Sequence, residues 1–267
     1  MIQTVEVSDL NTLFQMVSEQ QYREDLKRYR NLFIYRGQPD ASFHMVTSLQ
    51  RYCKDKKKEL EPSILANFTK YAALIEPTVE KSVWHRLILG QHHGLPTRLL
   101  DWSYSPLIAL HFALHEENLE EMDRHDCVVW RTDIHELHKM LPEKYRRVEE
   151  RSGTTVFSVE MLEEVCESLA QYDEDMKDRS MVVIEPPSVD PRIANQYSFF
   201  SIIPSDMSDI EAFLDAGTSQ TVRYLIKKEL RWQLRDMLDH QNINERLIYP
   251  GLDGISKWLG RHYYVME

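Results

Sequence analysis

Residues 91–114, Gln-His-His-Gly-Leu-Pro-Thr-Arg-Leu-Leu-Asp-Trp-Ser-Tyr-Ser-Pro-Leu-Ile-Ala-Leu-His-Phe-Ala-Leu, join a dense set of polar side chains to an apolar helix. Gly94 and Pro96 punctuate a loop. Ser105 followed by Pro106 marks a helix start, because proline fixes a helical φ and lacks only an N–H that has no partner in the first turn. Ala109, Leu110, Ala113 and Leu114 give that helix a face suited to close packing. A buried helix entered through such a loop places Gln91, His92, His93, Thr97, Arg98, Asp101, Ser103 and Tyr104 on a rigid support, where binding and catalytic groups concentrate.

Around this stretch the periodicity alternates irregularly. Helical spacing predicts helices from Ser8, as N-cap, to about residue 29, then over 60–75 and 79–94, and again at 133–141 and 158–170. Apolar runs at 32–36, 127–131, 181–184, 197–203 and 221–226 predict short strands. The charged segment 143–153 reads as a mobile insertion, and the chain after residue 227 as helical. Four or five strands separated by uneven numbers of helices do not make a doubly wound parallel sheet. The expected fold class is α+β, one domain over 1–267, with core motifs at 32–114 and 180–203.

The 267 residues can bury a full core unaided. Cys53, Cys127 and Cys166 share no pair spacing, so neither a disulfide framework nor a cysteine zinc site is expected, and a reducing, cytoplasmic setting follows. The N-terminus lacks the basic and long apolar regions of a signal peptide. The longest apolar run, 106–114, is under half a bilayer span, so no membrane partner is expected. A net charge of −11 argues against non-specific nucleic-acid binding. The basic runs at 54–58 and 223–228 read as solvated helix faces.

Arg36, beside Gly37 at the end of a buried strand, can present a planar fork to phosphate or carboxylate, with the glycine letting a ligand approach the backbone. A salt bridge to Asp101 is the alternative. His111 and His115, four apart on one helix face, could share a metal with Asp101, but there is no His-Glu-x-x-His pattern, and neutral, hydrogen-bonded structural roles are the better account of His85, His111 and His115. Arg98, Asp101 and Ser103 are set among Leu99, Leu100 and Trp102. In a strand the three polar groups are expected on one face, as a ligand wall. Neither a nucleophile-elbow serine nor a phosphate-binding glycine loop is present.

Together these residues resemble the FRG domain family, known for a Phe-Arg-Gly signature. Here the signature stands as Tyr35-Arg36-Gly37-Gln38. The resemblance continues through Ser48-Leu49-Gln50-Arg51, 91–102, Ser105-Pro106-Leu107 and His111-Phe112-Ala113. Further on it covers Arg192-Ile193, Gln196, Phe199 and Tyr249-Pro250-Gly251-Leu252-Asp253-Gly254. The motif order is also similar to the ADP-ribosyltransferase superfamily, which implies a small mixed sheet with a predominantly helical periphery and a cleft for NAD. By that resemblance Arg36 clamps phosphate or ribose, 97–103 and the following helix form the nicotinamide wall, and Gln196 falls where the superfamily has a catalytic glutamate. Gln38, His92, His93, Thr97, Arg98 and Ser103 then join Arg36 as NAD-binding candidates.

A neutral glutamine can orient ribose but carries no charge for the transition state. Asp101, or else Glu185, is expected to supply the anion, with Arg36, Asp101 and Gln196 as the catalytic set. The implied reaction is NAD cleavage or ADP-ribose transfer to an unidentified protein or nucleic-acid acceptor. The alternatives are a non-catalytic nucleotide- or protein-binding sensor or effector in bacterial defence, and a metal-dependent hydrolase on His92, His93 and Asp101.

Overall fold

Runs of β-branched and aromatic residues become strands, and Ser, Thr or Asp before an apolar periodic segment becomes a helix cap. The structure, a computed structural model, describes residues 1–187 and 191–266. β1 (Gln3–Val7) leads to α1 (Leu10–Ser18), whose N-cap is Asp9 rather than Ser8. The helix expected to reach residue 29 stops at Ser18. Residues 19–30 contain Leu26 as their one aliphatic side chain, so a helix there has no face to bury. They form instead a hairpin of β2 (Tyr22–Arg23) and β3 (Arg28–Tyr29), pinned by the edge-on rings of Tyr22 and Tyr29.

β4 (Phe33–Gln38) is followed by α2 (Ser48–Cys53), α3 (Lys57–Ala72) and α4 (Val83–His92). Next come β5 (Leu99–Ser103) and α5 (Pro106–Ala113), whose cap is the Ser105 hydroxyl accepting from the Ile108 N–H. β6 (Cys127–Asp133) and α6 (Ile134–Lys139) precede α7 (Glu143–Ser152). α7 corrects the mobile-insertion reading: Tyr145 and Val148 turn into the core while Glu143 and Arg147 pair on the outside. The helix expected over 158–170 is two, α8 (Val159–Val165) and α9 (Leu169–Met176), broken where Ser168 caps the second. β7 (Val182–Ile184), α10 (Pro191–Asn195), β8 (Ser198–Ile202), α11 (Ile210–Gly217) and β9 (Val222–Ile226) complete the α/β part. The chain closes with α12 (Arg231–His240), α13 (Glu245–Ile248) and α14 (Leu252–His262).

The fold is mixed α/β on a seven-stranded sheet ordered β1-β9-β6-β4-β5-β8-β7, larger than expected by β1 and β5. β1 runs parallel to β9 and every other pairing in it is antiparallel. The ladders are uneven. β4 follows β6 from Phe33↔Asp133 through Gln38↔Val128, and β5 follows β8 from Leu99↔Ile202 through Ser103↔Ser198, yet β4 and β5 meet at the single pair Tyr35↔Ser103. One sheet face packs Phe33, Tyr35 and Val129 against Leu110 of α5, Leu13 of α1 and Leu234 of α12. Ile34, Leu100, Trp102 and Trp130 fill a second core with Leu137 and Leu214. A third gathers Trp84, Tyr145, Phe157, Tyr172 and Phe200. Cys127 and Cys166 are buried free thiols. Among the described residues no helix is long and apolar enough to cross a membrane.

Candidate functional site

Beyond Tyr35↔Ser103, β4 and β5 part, and the seam opens as a cleft of about 340 Å³. β4 contributes Arg36 and Gly37 to its walls, β5 Asp101, Trp102 and Ser103, α4 Gln91, and α5 Phe112 with the following His115; Arg192 and Gln196 complete it. In place of the missing ladder, Arg36 Nη1 donates to the Asp101 carbonyl at 2.8 Å, and the Asp101 carboxylate lies 3.8 Å away. Burial lowers the Arg36 pKa, and the Asp101 charge opposes that shift. Arg36 Nε is buried with no hydrogen-bond partner among the described residues.

The Asp101 carboxylate is itself held. Gln91 Nε2 donates to both its oxygens, at 3.0 and 2.9 Å. The orientation of that carboxamide follows from Thr97, whose hydroxyl donates to Gln91 Oε1 at 2.5 Å while accepting from the Leu99 N–H at 3.1 Å. Thr97 N–H in turn donates to Ser48 Oγ at 3.0 Å. Thr97, expected in the cleft wall, is buried and acts one step behind it.

Arg98 is not on the wall either. Side chains alternate along a strand, so Asp101 and Ser103 share the face of Leu99, and Arg98 points the other way. There its guanidinium is buried between Glu61 and Asp173, with Nε donating to Glu61 Oε1 at 2.8 Å and Nη1 to Asp173 Oδ1 at 2.6 Å. Gln38 is turned into the core, accepting from Trp130 Nε1 and donating to the His44 carbonyl at 3.4 Å. Gly37 serves packing rather than ligand approach: a Cβ there would stand 2.0 Å from the Ala109 carbonyl oxygen and 2.4 Å from Ala113 N, so only glycine lets α5 lie on β4.

His92 and His93 close α4, their rings edge to face at 5.0 Å, outside the cleft-lining set. His111 turns to Arg235 rather than to a site shared with His115. It is fully buried and its Nδ1 accepts from Arg235 Nη2 at 2.9 Å, and burial, reinforced by the Arg235 charge, holds its pKa well below the usual value. Among the described residues no three His, Cys, Asp or Glu side chains are grouped to hold a metal ion.

Of the expected residues the structure therefore brings together Arg36, Asp101, Ser103 and Gln196. Ser103 Oγ donates to the Gln196 carbonyl at 2.8 Å and Gln196 Nε2 donates to the Ile248 carbonyl at 3.2 Å. Glu185 is exposed and lies outside the cleft lining. Two participants had not been singled out for chemistry, Arg192 and behind it the Tyr249 ring, 4.9 Å from its guanidinium, and His115, considered only as a metal ligand, joins them on the cleft. Burial raises the Tyr249 pKa, with the Arg192 charge opposing. The signal for Tyr249 was Gly254. A Cβ at that position would meet the Tyr249 carbonyl oxygen at 1.9 Å and that of Glu245 at 2.5 Å, so the glycine lets α14 close on α13 and set Tyr249 beside Arg192.

Residues 31–122 match the family model of the FRG domain. No curated protein and no solved structure matches the chain.

Proposed function

We propose that this chain, an FRG domain protein, binds NAD or a related nucleotide in the cleft between β4 and β5 and transfers ADP-ribose from it. The observation that carries the reading is the parted seam with Arg36 at its centre, a guanidinium anchored by one nitrogen and keeping Nε without a partner. A buried fork of that kind suits the oxygens of a pyrophosphate. The rest of the lining fits the same ligand: Arg192 adds positive charge, Phe112 offers aromatic surface, and Ser103, Gln196 and Ser198 are polar groups of the size that meets ribose hydroxyls. The volume falls at the lower end of the roughly 300–1,000 Å³ usual for ligand pockets.

NAD supplies the labile bond between ribose and nicotinamide, and the protein's part is to bind and to stabilise charge. Asp101 is the carboxylate on the cleft, and the Thr97–Gln91 relay keeps it oriented without reorganisation, which is what electrostatic catalysis requires. Gln196, at the position of the superfamily's glutamate, contributes hydrogen bonding alone. Asp101→Asn keeps the shape and removes the charge. NAD affinity should then change little, while nicotinamide release falls on the order of 100-fold. Unchanged release in that variant contradicts the assignment.

One observation favours a second reading, a non-catalytic nucleotide- or protein-binding module. Both Asp101 oxygens accept from Gln91, and one N–H of the Gln196 carboxamide is used on the Ile248 carbonyl. NAD bound without nicotinamide release selects that reading.

A further inference from the structure

Where α5 ends, a second pocket of about 380 Å³ adjoins the cleft. The two share one side chain, His115. His111, one turn earlier, is committed to Arg235, whereas no group among the described residues hydrogen-bonds the His115 imidazole. Leu114, Leu119 and Met122 give the second pocket apolar surface, and Gly260 of α14 leaves it open on one side, since a Cβ there would meet nothing within 4 Å.

We propose that this second pocket admits a hydroxyl-bearing acceptor and that His115 takes the proton from that hydroxyl as it attacks the ribose held in the cleft. The proposal rests on the NAD reading above and names the acceptor side of the same site. In the step, the bond from ribose C1′ to the nicotinamide nitrogen breaks and nicotinamide leaves with the electron pair. The acceptor oxygen bonds to C1′, and its proton passes to an imidazole nitrogen and then to solvent. No further reactant is needed.

The surroundings suit an imidazole that enters the step neutral. Burial lowers its pKa and Lys257 of α14 lowers it further, against Glu245 of α13 and Glu117 and Glu116 beside it. Across the cleft stand Arg36, Asp101 and Arg192. The charges also sort acceptors. The pocket carries three carboxylates, Glu116, Glu117 and Glu245, against two cations, Lys257 and Arg261. Glu245 and Arg261 neutralise each other at 2.8 Å. Glu116 pairs with the buried Arg231 at 3.6 Å, so Glu117 and Lys257 balance and the pocket suits an uncharged acceptor.

The test uses 1-propanol as the hydroxyl probe, with propyl ADP-ribose and nicotinamide quantified across a pH series and NAD affinity measured in the same samples. The parent should form the propyl product with an acid limb below the ordinary histidine value of about 6.5. His115→Gln should lose the product roughly 100-fold relative to its NAD affinity and lose the acid limb. Gly260→Phe, which fills the pocket from its open side, should lower the product at least tenfold relative to NAD affinity. Unchanged product and pH profile in His115→Gln overturn the His115 assignment and leave the NAD reading standing. Binding without nicotinamide release by the parent overturns the transfer step but not nucleotide binding. A folded parent that does not bind NAD overturns both.

Discussion

Arg36 reaches Asp101 through the main chain: its Nη1 donates to the Asp101 carbonyl at 2.8 Å, a full ångström closer than the carboxylate at 3.8 Å. The guanidinium thus stands in for a strand partner at the point where β4 and β5 separate, and the carboxylate is oriented by Gln91 instead. Both groups remain on the cleft.

Gly37→Ala should destabilise the protein without touching any proposed ligand. The added methyl group overlaps the backbone of α5 at Ala109 and Ala113, neither of which can yield as a side chain would. The cost is about 3 kcal/mol, the upper part of the overpacking range. Thermal denaturation should show a Tm lower by roughly 6–12 °C, at about 2–4 °C per kcal/mol for a chain of this size. A melt superimposable on the parent's would show that α5 does not lie on β4 as described.

Arg98→Ala separates stability from binding. Its removal leaves Glu61, which is 3% exposed, as an uncompensated buried charge. Such losses cost about 3–5 kcal/mol, which a urea titration would read as a lower midpoint. Below that midpoint NAD affinity should match the parent's, because Arg98 faces away from the cleft. Lost affinity in the folded variant would return Arg98 to the site.

Acid should loosen the C-terminal helices first. Burial alone raises the Glu245 carboxyl, but hydrogen bonds from Arg261 and the charges of Arg235 and Arg261 outweigh it and hold the pKa at about 2. A depressed carboxyl stabilises the fold above its unfolded value of about 4.3 and loses that contribution as pH falls toward the folded value. The tryptophan signal of Trp232 and Trp258, which flank this network on α12 and α14, should therefore melt at falling temperature between about pH 4.3 and 2. Glu245→Gln should flatten that dependence. An equally steep slope in the variant assigns it to other carboxyls.

Much of this was legible in the sequence because local chemistry decided it. Ser105-Pro106 could hardly open anything but a helix, and the apolar runs at 127–131 and 221–226 had to be strands. β1 was missed because its alternation is short and its partner, β9, lies at the far end of the chain. Arg98 was misplaced because adjacent Leu99 and Leu100 disguise the strand parity that puts it opposite Asp101. Gly37 and Gly254 are plain in the sequence as motif glycines. What each one admits, a helix rather than a ligand, depends on which element packs there. His115 and Arg192 become site residues only when α5 and α10 converge on the parted seam.

The central claim is that Arg36 holds a nucleotide in that seam, and calorimetric titration of NAD into the parent and Arg36→Ala tests it most directly, with a thermal melt of each confirming that it is folded. Saturable binding by the parent is expected, with a loss of roughly 10- to 150-fold in Arg36→Ala, the equivalent of about 1.5–3 kcal/mol for a hydrogen bond to a charged group. Equal affinity in a folded Arg36→Ala, or no binding by the folded parent, would contradict that claim.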